Sequence, residues 1–350
     1  MSLEIKMDMD YFKETLLTIL AIDSPSGYTK AVIERLRAYV DALGYKTSLT
    51  NKGNLVVEVP GREEGGKAVG ISAHVDTLGL VVRGIKSDGT LSFSRVGGPI
   101  MPTLDGEYCK VYTRCGKVYT GTILSNSPSS HVYDDAAKRA RDADNMHVKL
   151  DELVKTADDV KKLGILAGDF ICYDPKAVIT ETGFIKSRFL DDKLSAAIIL
   201  AALKHFKDTG AQPVRNTCVV FSTYEEVGHG LSHLPVPISE FLAVDMGCIG
   251  SDLSCTEYDV SICAKDSSGP YDYEITSRLI NLAKGAELNF AVDIYPMYGS
   301  DVSAARYAGH DIRGGLIGPG VAASHGMERS HIKACENTFK LLCLYLANNG

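Results

Sequence analysis

Apolar positions recur at helical spacing in the first forty residues. Phe12, Leu16, Leu17, Ile19 and Leu20 predict an amphipathic helix over residues 10–21. Ser24-Pro25-Ser26-Gly27 breaks it. A second helix, over about 28–43, places Val32, Leu36, Tyr39, Val40 and Leu43 on one face, and Gly44 supplies a C-terminal stop. The pattern then changes to short continuous apolar runs, which predict buried strands at 55–59, 68–73, 217–221 and 241–244. Further helices are expected after Asp191-Asp192 (Leu194, Ala197, Ile198, Leu200, Ala201, Leu203), at 271–284 and at 332–346. Residues 298–305 read as a loop entering a short helix, and Gly318-Pro319-Gly320 as a turn after the apolar run 312–317. Helices alternating with buried strands predict an α/β sheet domain.

Between residues 82 and 182 the texture differs. β-like runs at 91–96, 108–113 and 118–124 are separated by Gly and Pro turns, a polar segment covers 125–145, and one helix is expected near 151–163. This reads as a small β-rich domain of residues 82–182 inserted into a discontinuous domain of residues 1–81 and 183–350. No internal repeat or low-complexity tract interrupts the pattern.

Composition narrows the function classes. Hydrophobic content of 45% and charged content of 23% are those of a soluble globular protein with a sizeable core. A formal net charge of -7 without a basic patch argues against a nucleic-acid partner. The longest apolar runs fall short of the roughly 18 residues that a membrane span needs. Residues 1–10 carry acidic groups and lack the apolar core of a signal peptide. The nine cysteines include no Cys-x-x-Cys pair, which argues against a zinc ribbon or thioredoxin motif. Reduced thiols in a cytoplasmic protein are expected.

Candidate chemistry gathers at predicted strand ends. His74-Val75-Asp76 follows the run 68–73, Glu225-Glu226 follows 217–221, and Asp245 follows 241–244. Asp191-Asp192 opens a helix, and His325 lies in the loop before the last one. Each has a bland reading: the paired aspartates could cap the helix, and paired glutamates usually lie on solvated faces. Taken together they sit where α/β sheets bind ligands, beyond the carboxyl ends of the strands. Mixed imidazole and carboxylate donors suit Zn²⁺, Co²⁺ or Mn²⁺. Two histidines and three carboxylates can hold two ions about 3.5–4 Å apart if one carboxylate bridges them, which leaves one glutamate as a general base. His131 and His147 are better read as ordinary surface or core residues.

The order His-x-Asp, Asp-Asp, Glu-Glu, Asp, His resembles that of the co-catalytic dinuclear zinc exopeptidases. More closely, the chain is similar to the glutamyl, deblocking and tetrahedral aminopeptidases. Leu163-Gly164-Ile165, Gly168-Asp169-Phe170, Asp174-Pro175 and Ser300-Asp301-Val302-Ser303-Ala304 carry the resemblance through nearly the whole chain. It implies a mixed-sheet α/β zinc-exopeptidase domain, of the phosphorylase/hydrolase-like kind, with an inserted small β-barrel-like domain. It also implies roles: His74 and Asp245 as ligands of one divalent metal ion, Glu226 and His325 of the second, and Asp191 bridging both. Asp76 would orient His74, Glu225 would be the general base, and Asp301 would help bind the substrate. Zn²⁺ is the implied metal, with Co²⁺ or Mn²⁺ as alternatives. The implied substrate is a short peptide, cleaved from its N-terminus, and the implied assembly is a homo-oligomer between a dimer and a dodecamer. Three departures stand out: Thr77 where the family usually has Glu, Lys193 in place of a common Arg, and Ser324-His325-Gly326-Met327-Glu328-Arg329-Ser330-His331 in place of His-Ser-Pro-x-Glu. The last makes His331 a rival ligand. That motif, Thr77-Leu78-Gly79 and Asp266-Ser267-Ser268-Gly269-Pro270 also resemble a subgroup associated with synthesis of the osmoprotectant N-acetylglutaminylglutamine amide. Two other functions fit the same residues less well: a metal-dependent deacylase or amidase on small N-acyl amino acids, and a non-catalytic assembly protein, which would be expected to have lost a ligand.

Overall fold

Two runs rich in β-branched residues, Ala68–His74 and Thr217–Ser222, pair in parallel in the middle of a ten-stranded mixed sheet. The computed structural model describes residues 5–63 and 65–348. Residues 1–4, part of the stretch read above as lacking a signal core, lie outside the described residues, as do 64 and 349–350. Ile238–Val244 and Arg313–Val321 extend the parallel set on one side. Leu55–Val59 and Lys46–Leu49 flank it antiparallel at one edge, and Val260–Asp266 at the other.

Both faces of this sheet are covered, which is why its strands read as continuous apolar runs rather than alternating ones. Successive side chains of Thr217–Ser222 enter different cores: Val219 and Phe221 pack on one face, Cys218 and Val220 on the other. Helices Leu190–Thr209 and Ile332–Ala347 cover the first face, Met9–Leu20 packs on the outside of Leu190–Thr209, and Asp301–Tyr307 lies on the second face. Leu190–Thr209 is buried almost all round, as expected of a helix held between a sheet and other helices. Its first residues are irregular: Asp191 and Asp192 have non-helical backbone angles and are joined by a cis peptide.

The region of short strands forms a closed six-stranded barrel of Gly79–Ile85, Leu91–Val96, Met146–Leu150, Val118–Ser125, Tyr108–Tyr112 and Phe170–Tyr173. The helix expected near 151–163 is only Ala157–Lys162. Thr156 and Asp159 form a capping box that sets its start, so the residues before it stay outside the helix.

The N-terminal helices fall where the pattern placed them. Lys30–Ala42 stops at Gly44, whose φ of +79° lies in the left-handed region. The turn expected at Gly318-Pro319-Gly320 is absent. Strand Arg313–Val321 runs straight through it, with Gly318 opposite Ser261 and Pro319 opposite Val260. The glycines are there for close approach: a Cβ on Gly318 would collide with the Asp245 carbonyl oxygen, and one on Gly320 with that of Thr256. Gly318→Ala is therefore expected to destabilise the protein by about 3 kcal/mol or more in chemical denaturation. Gly250→Ala, where a Cβ meets nothing within 4 Å, is the matched control and should change stability by only a few tenths of that.

Candidate metal centre and catalytic cleft

The parallel strands all present their carboxyl ends to one side of the sheet, and the candidate residues meet there. His74 ends its own strand. Glu225 and Glu226 follow Ser222 in a single 3-10 turn, Glu225–Val227. Asp245 follows Val244, and Asp191 stands at the head of the long helix. His325 lies on the loop between Arg313–Val321 and Glu328–His331, with φ +65°.

One ligand atom each from His74, Asp191 and Asp245 lie within 4.8 Å of one another, and so do those of Asp191, Glu226 and His325. Asp191 is common to both groups. Its Oδ1 is 3.0 Å from His74 Nε2, and its Oδ2 is 3.6 Å from His325 Nε2, which is also 3.6 Å from Glu226 Oε2. Glu225 belongs to neither group, yet its Oε2 is 3.7 Å from His74 Nε2.

Both imidazoles are aimed by main-chain carbonyls. His74 Nδ1 donates to the Asp76 carbonyl at 3.0 Å, and His325 Nδ1 to the Gly98 carbonyl at 3.0 Å. A carbonyl only accepts, so each Nδ1 carries a proton and each Nε2 faces the carboxylates.

Asp76 aims His74 through its main-chain carbonyl and leaves its carboxylate for other partners. Its carboxylate stands 3.7 Å from Nδ1 and is instead filled by three donors. Ser26 Oγ donates at 2.5 Å, the Glu225 amide at 3.1 Å and the Glu226 amide at 3.3 Å. It thereby fixes the turn that carries both glutamates. Glu328 plays the same part on the other side. Its two oxygens accept from the Asp191 amide at 3.1 Å and the His325 amide at 3.0 Å. Neither Ser26 nor Glu328 was singled out from sequence. The only available signal was the glutamate in the His325 motif.

Burial dominates the electrostatics. It drives Glu225 and Glu226 well above the usual carboxylate range, reinforced by Asp245 for Glu225 and by Asp191 for Glu226. Burial and the neighbouring Asp191 push Asp245 up to about 7 and Glu328 up to about 8. Burial would also raise Asp191, but the His325 imidazole beside it and the hydrogen bond with His74 outweigh it and hold this carboxyl below its usual value. His74 is the converse: burial opposes its charge, yet Asp191, Glu225 and Asp245 raise it well above the ordinary imidazole value. The Asp191 carboxylate beside it lifts His325 to about 9. Two buried oxygens, Glu226 Oε1 and Asp192 Oδ1, have no hydrogen-bond partner. Crowded buried carboxylates with unfilled lone pairs, interleaved with two oriented imidazoles, fit divalent cations.

Some candidates lie elsewhere. Asp301 does not reach the cleft. Its carboxylate is buried beneath the loop and accepts from Ser222 Oγ at 2.6 Å and the Leu231 amide at 3.1 Å. Its place is as a support for the segment bearing Glu225. His331 is turned away: Nε2 is 2.9 Å from the Thr182 carbonyl, Nδ1 accepts from the Lys333 amide, and the ring packs on Phe184 and Tyr258. With both nitrogens engaged it does not compete with His325. His147 bonds Asn126 within the barrel.

A carboxyl that holds its proton more tightly when folded makes the folded state less stable as pH rises through its folded pKa. Chelator-treated protein should therefore lose about 2 kcal/mol or more between about pH 5 and 8, as Asp245 and Glu328 are forced to ionise. Added divalent cation should restore the melting temperature at the upper end of that range. Melting curves with and without EDTA across pH test this, and a flat profile for the stripped protein would contradict the electrostatic account.

The comparisons with known proteins agree with this geometry. Residues 53–341 match the M42 glutamyl aminopeptidase family. The protein YhfE of Bacillus subtilis (strain 168) is 43% identical over 98% of this chain and 98% of its own. The glutamyl aminopeptidase of Lactococcus lactis subsp. cremoris (strain MG1363) is 24% identical over 53% of this chain and 52% of its own. Among solved structures, the TET aminopeptidase of the Thaumarchaeota archaeon SCGC AB-539-E09 shares the fold, with a TM-score of 0.88 at 20% identity over 97% of both chains. The TET1 peptidase of Pyrococcus horikoshii does so with a TM-score of 0.83 at 21% identity, over 97% of this chain and 100% of its own. Matched through most of its length, the chain belongs to the M42 glutamyl aminopeptidase family and is an aminopeptidase, and so a hydrolase.

Proposed function

We propose that this aminopeptidase works through two divalent cations, one held by His74, Asp191 and Asp245 and one by Asp191, Glu226 and His325. The observation that carries the proposal is the sharing of Asp191 between two groups of ligand atoms, with Glu225 beside His74 and a member of neither group. Zn²⁺ suits these nitrogen and oxygen donors best, with Co²⁺ and Mn²⁺ also compatible. Such ions, when bound, supply Lewis acidity toward a water and the scissile carbonyl.

Glu225 is then the proton carrier. Its raised affinity for a proton suits it to take one from the attacking water and return it to the leaving amine. Asp76 acts one step back, holding His74 and the Glu225–Glu226 backbone in register. Asp301 holds the next stretch, through Ser222 and Leu231.

Two further assignments belong to the same reading. Residues 1–81 and 183–350 form the catalytic part and 82–182 an assembly module. The P. horikoshii TET1 peptidase can assemble into a tetrahedron or a large octahedral shell. For this chain we propose a homo-oligomer, between dimer and dodecamer, acting on short peptides in the cytoplasm. Among the described residues no helix is long and apolar enough to cross a membrane.

Glu225→Gln should lower kcat by about 10²–10⁴-fold while titration calorimetry still counts two divalent ions per chain. Asp191→Asn should lower the count itself. Tripeptides with a free amino group should be cleaved and their N-acetylated counterparts spared. Preferential cleavage of the acetylated set would replace this reading with that of a deacylase.

A further inference from the structure

Beyond the cluster, the cleft has a composition of its own. It encloses about 490 Å³ and extends from Asp191, Glu225, Glu226, Asp245 and His325 along Ile100, Met246, Cys248, Met297 and Tyr298. Among the described residues no lysine or arginine lines it, and its carboxylates are those of Asp191, Glu225, Glu226 and Asp245.

The apolar side chains come from three separate segments. Ile100 reaches in from the barrel, on the loop whose Gly98 carbonyl aims His325. Met246 and Cys248 follow Asp245. Met297 and Tyr298 precede helix Asp301–Tyr307. Ile100 is 45% exposed and Met297 is 92% exposed, although both are large and apolar. Facing apolar residues left uncovered at the mouth of a polar reaction centre are what a ligand with an apolar group would cover. Tyr298 adds no polar reach. Its hydroxyl donates to the Met246 carbonyl at 3.1 Å, and burial, with Asp245 next, raises its pKa well above the usual phenol value.

We infer that the cleft selects peptides whose N-terminal side chain is neutral and apolar, such as leucine, methionine or phenylalanine, over glutamyl and lysyl peptides. This rests on the proposed reaction centre. An acidic side chain entering the cleft would be desolvated against Ile100, Met297 and Cys248 without a cationic partner. A lysine would find no carboxylate beyond those already committed to the cations and to Glu225. A leucine or methionine, by contrast, gives up apolar surface to apolar surface. Selection is thus set by what lines the cleft, independently of the activity after which the family is called.

The test is kcat/KM for X-Ala-Ala tripeptides, with X as Leu, Met, Phe, Glu or Lys, followed by chromatography of the released residue. The full chain is loaded in turn with Zn²⁺, Co²⁺ or Mn²⁺. The apolar three should exceed Glu and Lys on the order of ten- to a hundred-fold. Met297→Lys, a change at an exposed position, should narrow the Leu/Glu ratio on the order of ten-fold while leaving the Leu/Met ratio in place. A preference for Glu or Lys, with cleavage intact, would overturn the inference and leave the reaction centre standing. A Leu/Glu ratio unmoved by Met297→Lys would overturn the part given to Met297 and the rim. Failure to cleave any of the five, with two ions bound per chain, would overturn the proposed reaction centre and this inference with it.

Discussion

A single buried aspartate ties together one side of the candidate metal centre. Asp76 is 0% exposed, and each of its three oxygens accepts a hydrogen bond. Its main-chain carbonyl takes the proton of His74 Nδ1, and its side chain takes Ser26 Oγ and the amides of Glu225 and Glu226. Three segments far apart in sequence are thereby joined at one residue. Charge buried this deeply is tolerated only where donors surround it. Asp76 can serve as the joint because those donors are main-chain amides and a short hydroxyl, none of which needs to move.

The sheet makes this possible. Parallel neighbours bring Ser222 level with His74, so the residues just past each strand end come together without long side chains. Asp245 arrives in the same way from the next strand, and the glycine at 318 lets the chain beside it pass close to its carbonyl. Glu328 then completes the far side by holding the amides of Asp191 and His325. The two carboxylates do equivalent work from opposite sides, each holding the backbone amides of two candidate site residues.

Much of this was legible in the sequence, for a local reason. His74, Glu225, Glu226 and Asp245 each stand at or just past the end of a buried strand, Asp191 opens a helix, and His325 lies in a loop before the last helix, so each breaks an apolar pattern with a chemically costly residue. The supporting residues were hidden because their partners are distant. Ser26 sits in what reads as a helix breaker, and its bond to Asp76 spans 50 positions. Glu328 reads as the tail of a motif. The resemblance alone put Asp301 near the substrate, and its bonds to Ser222 and Leu231, 79 and 70 positions away, have no local signature. Gly318-Pro319-Gly320 reads as a turn because local propensity cannot register that a neighbouring carbonyl leaves no room for a side chain. His331 was separated from His325 only by what surrounds it.

The loop after barrel strand Leu91–Val96 meets His325 twice. The Gly98 carbonyl accepts from its ring, and the Ile100 amide donates to its carbonyl at 3.0 Å. The barrel therefore forms one wall of the cleft, and its loop holds an imidazole of the candidate metal centre by two hydrogen bonds. Where that ring points is thus fixed by how the barrel is seated on the sheet as well as by the sheet itself.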